Sequence, residues 1–68
     1  MNNLPANLKW FRENEGLTQQ QLADVTEIHQ RSIASYETGR ANPSIDRLIT
    51  LAQHFGVKID ELVIGKTE

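Results

Sequence analysis

Residues 18–39 read TQQQLADVTEIHQRSIASYETG, and two helical patterns lie inside them, divided by a short break. Thr18 and Gln21 form a Thr-x-x-Gln capping box ahead of Leu22 and Ala23. The hydroxyl and the carboxamide can each satisfy a backbone amide left over in a first turn, so a helix is expected to start at Thr18. It is short and ends near Val25. Thr26, Glu27 and Ile28 make the break. Ile33 and Tyr36, three positions apart, then give one inward stripe to a helix over residues 29–38, which Gly39 stops.

Outward from this pair the chain continues in the same manner. Pro5 suits a first helical turn, where its missing N–H is no loss, and predicts a helix over residues 4–15 with Leu8 and Phe11 turned inward. Gly16 ends it, and Leu17 supplies the apolar contact that often follows such a cap. Pro43 and Ser44 open a fourth helix. Its broad apolar face holds Ile45, Leu48, Ile49, Leu51, Ala52 and Phe55, and Gly56 closes it ahead of Val57. A last short helix covers residues 59–64, with Asp60 and Glu61 near its positive end, and residues 65–68 read as a frayed tail. The expected fold class is all-α, a bundle of about five short helices forming one domain over residues 1–68.

Composition narrows the function classes. The chain has 68 residues, no cysteine, 24% charged and 38% hydrophobic residues, which suits a small soluble fold and leaves no room for a second core. Without cysteine there is no disulfide staple and no thiolate metal site, so a cytoplasmic protein is expected. No apolar run approaches a membrane span, and the first eight residues lack the charged-then-apolar order of an export signal. His29 and His54 fall on different predicted helices with no metal-ligand spacing, and the four glycines read as helix stops rather than a phosphate loop. Neither an enzyme, a metal site nor a cofactor is expected. The net charge of -2 argues against nucleic acid when taken alone.

Two short helices joined by a tight turn are nevertheless the helix-turn-helix, in which the second helix can enter the major groove of DNA. The longer stretch TQQQLADVTEIHQRSIASYETGRANPSIDRL, residues 18–48, resembles the phage Cro and repressor type of helix-turn-helix, also called the XRE family. Arg12, the Leu17-Thr18-Gln19 run, Leu22-Ala23, Ile28, Ile33, Glu37, Gly39 and Asn42-Pro43-Ser44 carry the likeness. It implies a lambda-repressor-like bundle and a buried ion pair between Arg12 and Glu37 that joins the first helix to the recognition helix. The sequence departs from the pattern at three places in the turn. Glu27 stands where glycine is frequent, and a left-handed backbone there would cost about 1 kcal/mol, so an altered turn is expected. Thr26 replaces a leucine-like core residue, and His29 replaces a better helix cap.

Groove readout requires polar side chains on the outer face of the third helix, chiefly at its start. Gln30, Arg31 and Ser35 meet this requirement, and Ala34 is small enough for close approach to a thymine methyl. Arg31 is suited to guanine, whereas Gln30 is suited to adenine or to buttressing a neighbour. For phosphate contacts the candidates are Thr18 and Gln19 at the start of the second helix, with Ser32, Thr38, Arg40, Asn42 and Ser44. In the family the loop matching residues 38–44 lies against the phosphate backbone. Apart from Glu37, residues 29–44 carry Arg31 and Arg40 and no acid, so the reading face is expected to be locally positive.

One such domain reads only a few base pairs, which favours a homodimer on a pseudo-palindromic operator. Leu62, Val63 and Ile64 cannot all face inward from one short helix and are the candidate dimer contacts. Double-stranded DNA is thus the expected partner and a repressor the expected role, in a bacterial or phage setting. The alternative is a protein-interaction module or antitoxin-like regulator built on the same fold.

Overall fold

The computed structural model describes residues 3–65. Five helices follow one another along them: α1 Leu4–Asn14, α2 Gln19–Thr26, α3 Gln30–Thr38, α4 Ile45–Phe55 and α5 Ile59–Val63. Each lies within two residues of its expected bounds. Beyond Gly65 the expected tail falls outside the described residues.

The helix ends form for the reasons the sequence suggests. Thr18 Oγ1 accepts from the Gln21 amide at 3.1 Å while Gln21 Oε1 accepts from the Thr18 amide at 2.8 Å, completing the capping box of α2. Ser44 Oγ accepts from the Arg47 amide at the start of α4. Lys58 has no acceptor with which to cap α5, and Glu61 compensates by accepting from its amide at 3.0 Å. His29 makes no side-chain cap for α3.

Each helix delivers apolar groups to one core. Leu4 and Leu8 from α1, Leu22 and Ala23 from α2, Ile33 and Tyr36 from α3, Leu51 and Ala52 from α4, and Leu62 from α5 are buried there with Ile28. The helix α3 packs against α1 and α2, while α5 closes against α1 and α4. Asn7 Nδ2 donates to the Leu62 carbonyl at 3.0 Å and the Asn3 amide to the Val63 carbonyl at 2.8 Å, so α5 is tied to the start of α1 by polar bonds as well.

Several expectations need correction. Ile45 and Ile49 are exposed and do not belong to the inward face of α4, which is narrower than the apolar count implies and consists of Leu48, Leu51, Ala52 and Phe55. Leu62 is fully buried, so it caps the core and is unavailable as a dimer contact. Trp10, whose place the sequence leaves open, is exposed, with its ring at 5.2 Å edge-on to the ring of Phe11, which in turn stacks on Phe55 at 5.4 Å.

The turn between α2 and α3 is not altered. Glu27 takes the left-handed conformation, φ 59 and ψ 28, that a glycine would adopt more readily. The neighbouring Thr26 is buried without loss, since its hydroxyl donates to the Leu22 carbonyl at 2.7 Å.

Candidate nucleic-acid interface

The exposed face of α3 is defined by what its other face holds. Ile33 and Tyr36 are sealed in the core, and the Glu37 side chain is only 4% exposed. Helical spacing therefore turns Arg31, Ala34, Ser35 and Thr38 outward. Arg31 projects into solvent, Ala34 and Ser35 are half-buried, and Thr38 bends its hydroxyl back toward the Ala34 and Ser35 carbonyls, 3.2 Å from each. Ser32 is half-buried at the flank.

Glu37 is held by a fork. Arg12 Nε donates to Oε2 at 2.6 Å and Nη2 to Oε1 at 3.0 Å, while Nη1 donates to the Leu17 carbonyl at 2.7 Å. Both side chains are at least 90% buried, and the implied ion pair between α1 and α3 is therefore present in full geometry. The hydrogen bond to Glu37 is the main cause that holds the Arg12 pKa above its ordinary value, partly opposed by burial, so the guanidinium stays charged.

The polar chain extends further. Gln19 Nε2 donates to Glu37 Oε1 at 3.0 Å, and Gln19 Oε1 accepts from Gln30 Nε2 at 2.7 Å. The Gln19 side chain is thus turned toward α3, and Gln30 makes the buttressing contact that was one of its two expected roles. Nothing in the spacing of two glutamines eleven positions apart signals this bond, because it depends on the angle between α2 and α3.

The loop after α3 presents Arg40, Asn42 and Ser44, all exposed. Its amides are less available than its side chains: those of Gly39, Arg40 and Ala41 cap α3 by bonding to the Tyr36 and Ser35 carbonyls. Arg47 was missed from sequence. Its Nη1 donates to the Tyr36 hydroxyl at 2.8 Å, which steadies a second cation on the first turn of α4, three residues past the Ser44 cap. The expected positive character of the reading face is also modified. Asp24 of α2 and Glu27 of the turn line an open concavity with His29, Gln30 and Arg31 at the α2–α3 junction, bringing two acidic groups beside the start of the recognition helix. Among the described residues no group of three or more His, Cys, Asp or Glu side chains is placed to hold a metal ion.

A sequence profile described as Helix-turn-helix matches residues 8–62. The chain belongs to the helix-turn-helix family. Its relatives include the HTH-type transcriptional activator BcrR of Enterococcus faecalis, 34% identical over 87% of this chain and 29% of the activator. An uncharacterized HTH-type transcriptional regulator of Methanocaldococcus jannaschii is 35% identical over 84% of this chain and 86% of its own length. A crystal structure of a transcriptional regulator from Listeria innocua superposes on all of this chain with a TM-score of 0.87 at 34% identity, and the chain spans 64% of it. This helix-turn-helix family is one of transcriptional regulators that bind DNA rather than of enzymes. Among the described residues no helix is long and apolar enough to cross a membrane.

Proposed function

We propose that this helix-turn-helix protein is a sequence-specific transcriptional repressor that binds a pseudo-palindromic operator as a homodimer, with α3 in the major groove. The observation that carries this reading is the division of α3 into a locked inner face and an outward face bearing Arg31, Ala34 and Ser35. Arg31 donates to guanine O6 and N7, Gln30 faces adenine, and Ala34 and Ser35 lie close to base edges. Thr18, Gln19, Ser32, Thr38, Arg40, Asn42 and Ser44 set the register on phosphates, joined by Arg47. Occupancy of the groove is itself sufficient for repression, since it excludes other proteins from the operator. The second protomer is reached through Val63 and Ile64, the latter exposed at the end of α5. Such a protein works in the cytoplasm of a bacterium or of a phage-infected cell.

A protein-interaction or antitoxin-like role has one observation in its favour, the carboxylates of Asp24 and Glu27 beside α3. Selection of bound sequences from a random duplex pool separates the two. A recovered palindromic motif, bound less tightly as salt rises, is expected; absence of binding to any duplex at low salt overturns the DNA reading.

Within the DNA reading, Arg31→Ala relaxes base preference at one position by about 1–3 kcal/mol. Arg40→Ala weakens specific and random duplexes alike and flattens the salt slope by about one unit. Titration of labelled duplexes at several salt concentrations checks both, and equal effects of the two substitutions on specific and random DNA refute the assignment.

A further inference from the structure

Trp10 is the single tryptophan of the chain and is 57% exposed on the outer face of α1. Its ring is held from behind, since Phe11 meets it edge-on and Phe11 itself is stacked on Phe55. An aromatic group ordered in this way loses little freedom when something covers it. Beside it opens a hollow of about 320 Å3 lined by Asn7, Trp10, Phe11 and Gly65. A projecting ring and an apolar recess thus share one small surface. Arg12 follows Trp10 by two positions, about 200° further round the helix, and points at Glu37 of α3. Trp10 therefore lies on the side of α1 turned away from the recognition helix.

The charges around Trp10 are a separate observation. Helical spacing places Lys9 and Glu13 on one side of it, with Asn7 and the hollow on the other. Both charged side chains are exposed. Lys9 forms no ion pair among the described residues, and Glu13 has only a 3.8 Å approach to Arg12 Nη2. We propose that this face of α1 docks a second copy of the chain, the two α1 helices crossing antiparallel about a two-fold axis beside Trp10. A two-fold contact is built from one patch and its rotated image, so whatever projects from the patch must find its complement within it. The Trp10 ring of each copy then lies against the hollow of the other. Lys9 and Glu13 stand at equal distances before and after position 11, so a crossing there sets Lys9 of each copy level with Glu13 of the other, twice over. This assignment rests on the homodimer reading of the proposed function, extends its contact from Val63 and Ile64 onto α1, and leaves α3 clear for DNA.

Sedimentation of the unaltered protein over a concentration series should show a monomer–dimer equilibrium, with Trp10 emission moving to shorter wavelength as the dimer forms. Trp10→Ala should fold as before, because the ring is outside the core, and should raise the dissociation constant of the dimer at least tenfold. Charge variants identify the occupant as a second copy. Lys9→Glu alone sets acid against acid across the axis and Glu13→Lys alone sets base against base, so each should assemble more weakly than the unaltered chain. An equimolar mixture of the two restores opposite charges at both contacts and should form heterodimers more tightly than either variant forms homodimers. If the unaltered protein stays monomeric at every concentration, the homodimer reading fails and the docking face with it. If it dimerises, Ile64→Ser dissociates it and Trp10→Ala does not, the homodimer reading stands and the α1 face is wrong. A mixture that assembles no better than its components equally overturns the antiparallel crossing. None of these measurements uses DNA, so the duplex selection decides DNA binding independently.

Discussion

Glu27 holds a backbone conformation that its side chain disfavours, and the turn keeps its shape nonetheless. The reason is context: Leu22, Ala23 and Ile28 on either side are buried, and their combined burial outweighs a local cost of about 1 kcal/mol. Glu27→Gly should therefore stabilise the fold by about 0.5–1 kcal/mol in urea unfolding, and, by removing a carboxylate from beside Arg31, should raise affinity for random duplexes at low salt. A loss of stability would show that the Glu27 side chain contributes more than its strain subtracts. Arg12 lies at the other extreme. Arg12→Met strands the Glu37 carboxylate in the core and should cost about 3–5 kcal/mol, whereas Arg12→Met with Glu37→Leu should recover much of that loss, as measured by thermal unfolding of both variants. At this scale the ion pair was legible only because Arg12 and Glu37 fit a family pattern, since two opposite charges 25 positions apart say nothing by themselves. The Gln19–Gln30 contact had no such signal.

Among the elements, α3 is the one whose start is weakest. Its cap position is occupied by His29, whose side chain makes no bond to the first turn, although its extended backbone suits a capping residue. His29→Ser should stabilise the protein by about 0.5–1 kcal/mol, seen as a raised thermal midpoint. No gain would mean that the first turn of α3 is already held by the Gln19–Gln30 contact. Element positions were the most legible part of the sequence. Caps, glycine stops and apolar spacing act over four or five residues, so Thr18, Ser44 and Gly39 reveal them without knowledge of the fold. Which apolar residues reach the core was less legible. Ile45 and Ile49 satisfy the same spacing rule as Leu48 and Leu51, and only the packing direction of α4 against its neighbours leaves the first two outside.

At the scale of the whole molecule, the body measures 31 × 23 × 19 Å, shorter than the roughly 34 Å that separates half-sites one helical turn apart. The proposed dimer places one such body on each half-site. In the proposed dimer each protomer offers Arg40 and Arg47 to phosphates, so neutralising about four phosphates should give a slope of log affinity against log salt of about -3.6, by the usual factor of about 0.9 per contact. Ile64→Ser should bring the slope near -2 and abolish the concentration dependence of assembly seen by sedimentation, while altering stability by less than about 0.5 kcal/mol. An unchanged slope and assembly state would place the dimer contact elsewhere. Asp24 and Glu27 beside α3, and Asp46 on the first turn of α4 next to Arg47, offset part of this positive charge, in keeping with the overall charge of -2.

The bond between the Asn3 amide and the Val63 carbonyl has a topological consequence. It brings the two ends of the five-helix unit to one corner, so that the unit resembles a nearly closed ring of chain with a single gap. Rings of this kind tolerate being opened elsewhere and rejoined across the gap, and they can be spliced into the middle of another polypeptide as readily as appended to its end. A reading head with this connectivity is a portable cassette: whatever is joined at residue 3 or at residue 65 departs from the same point.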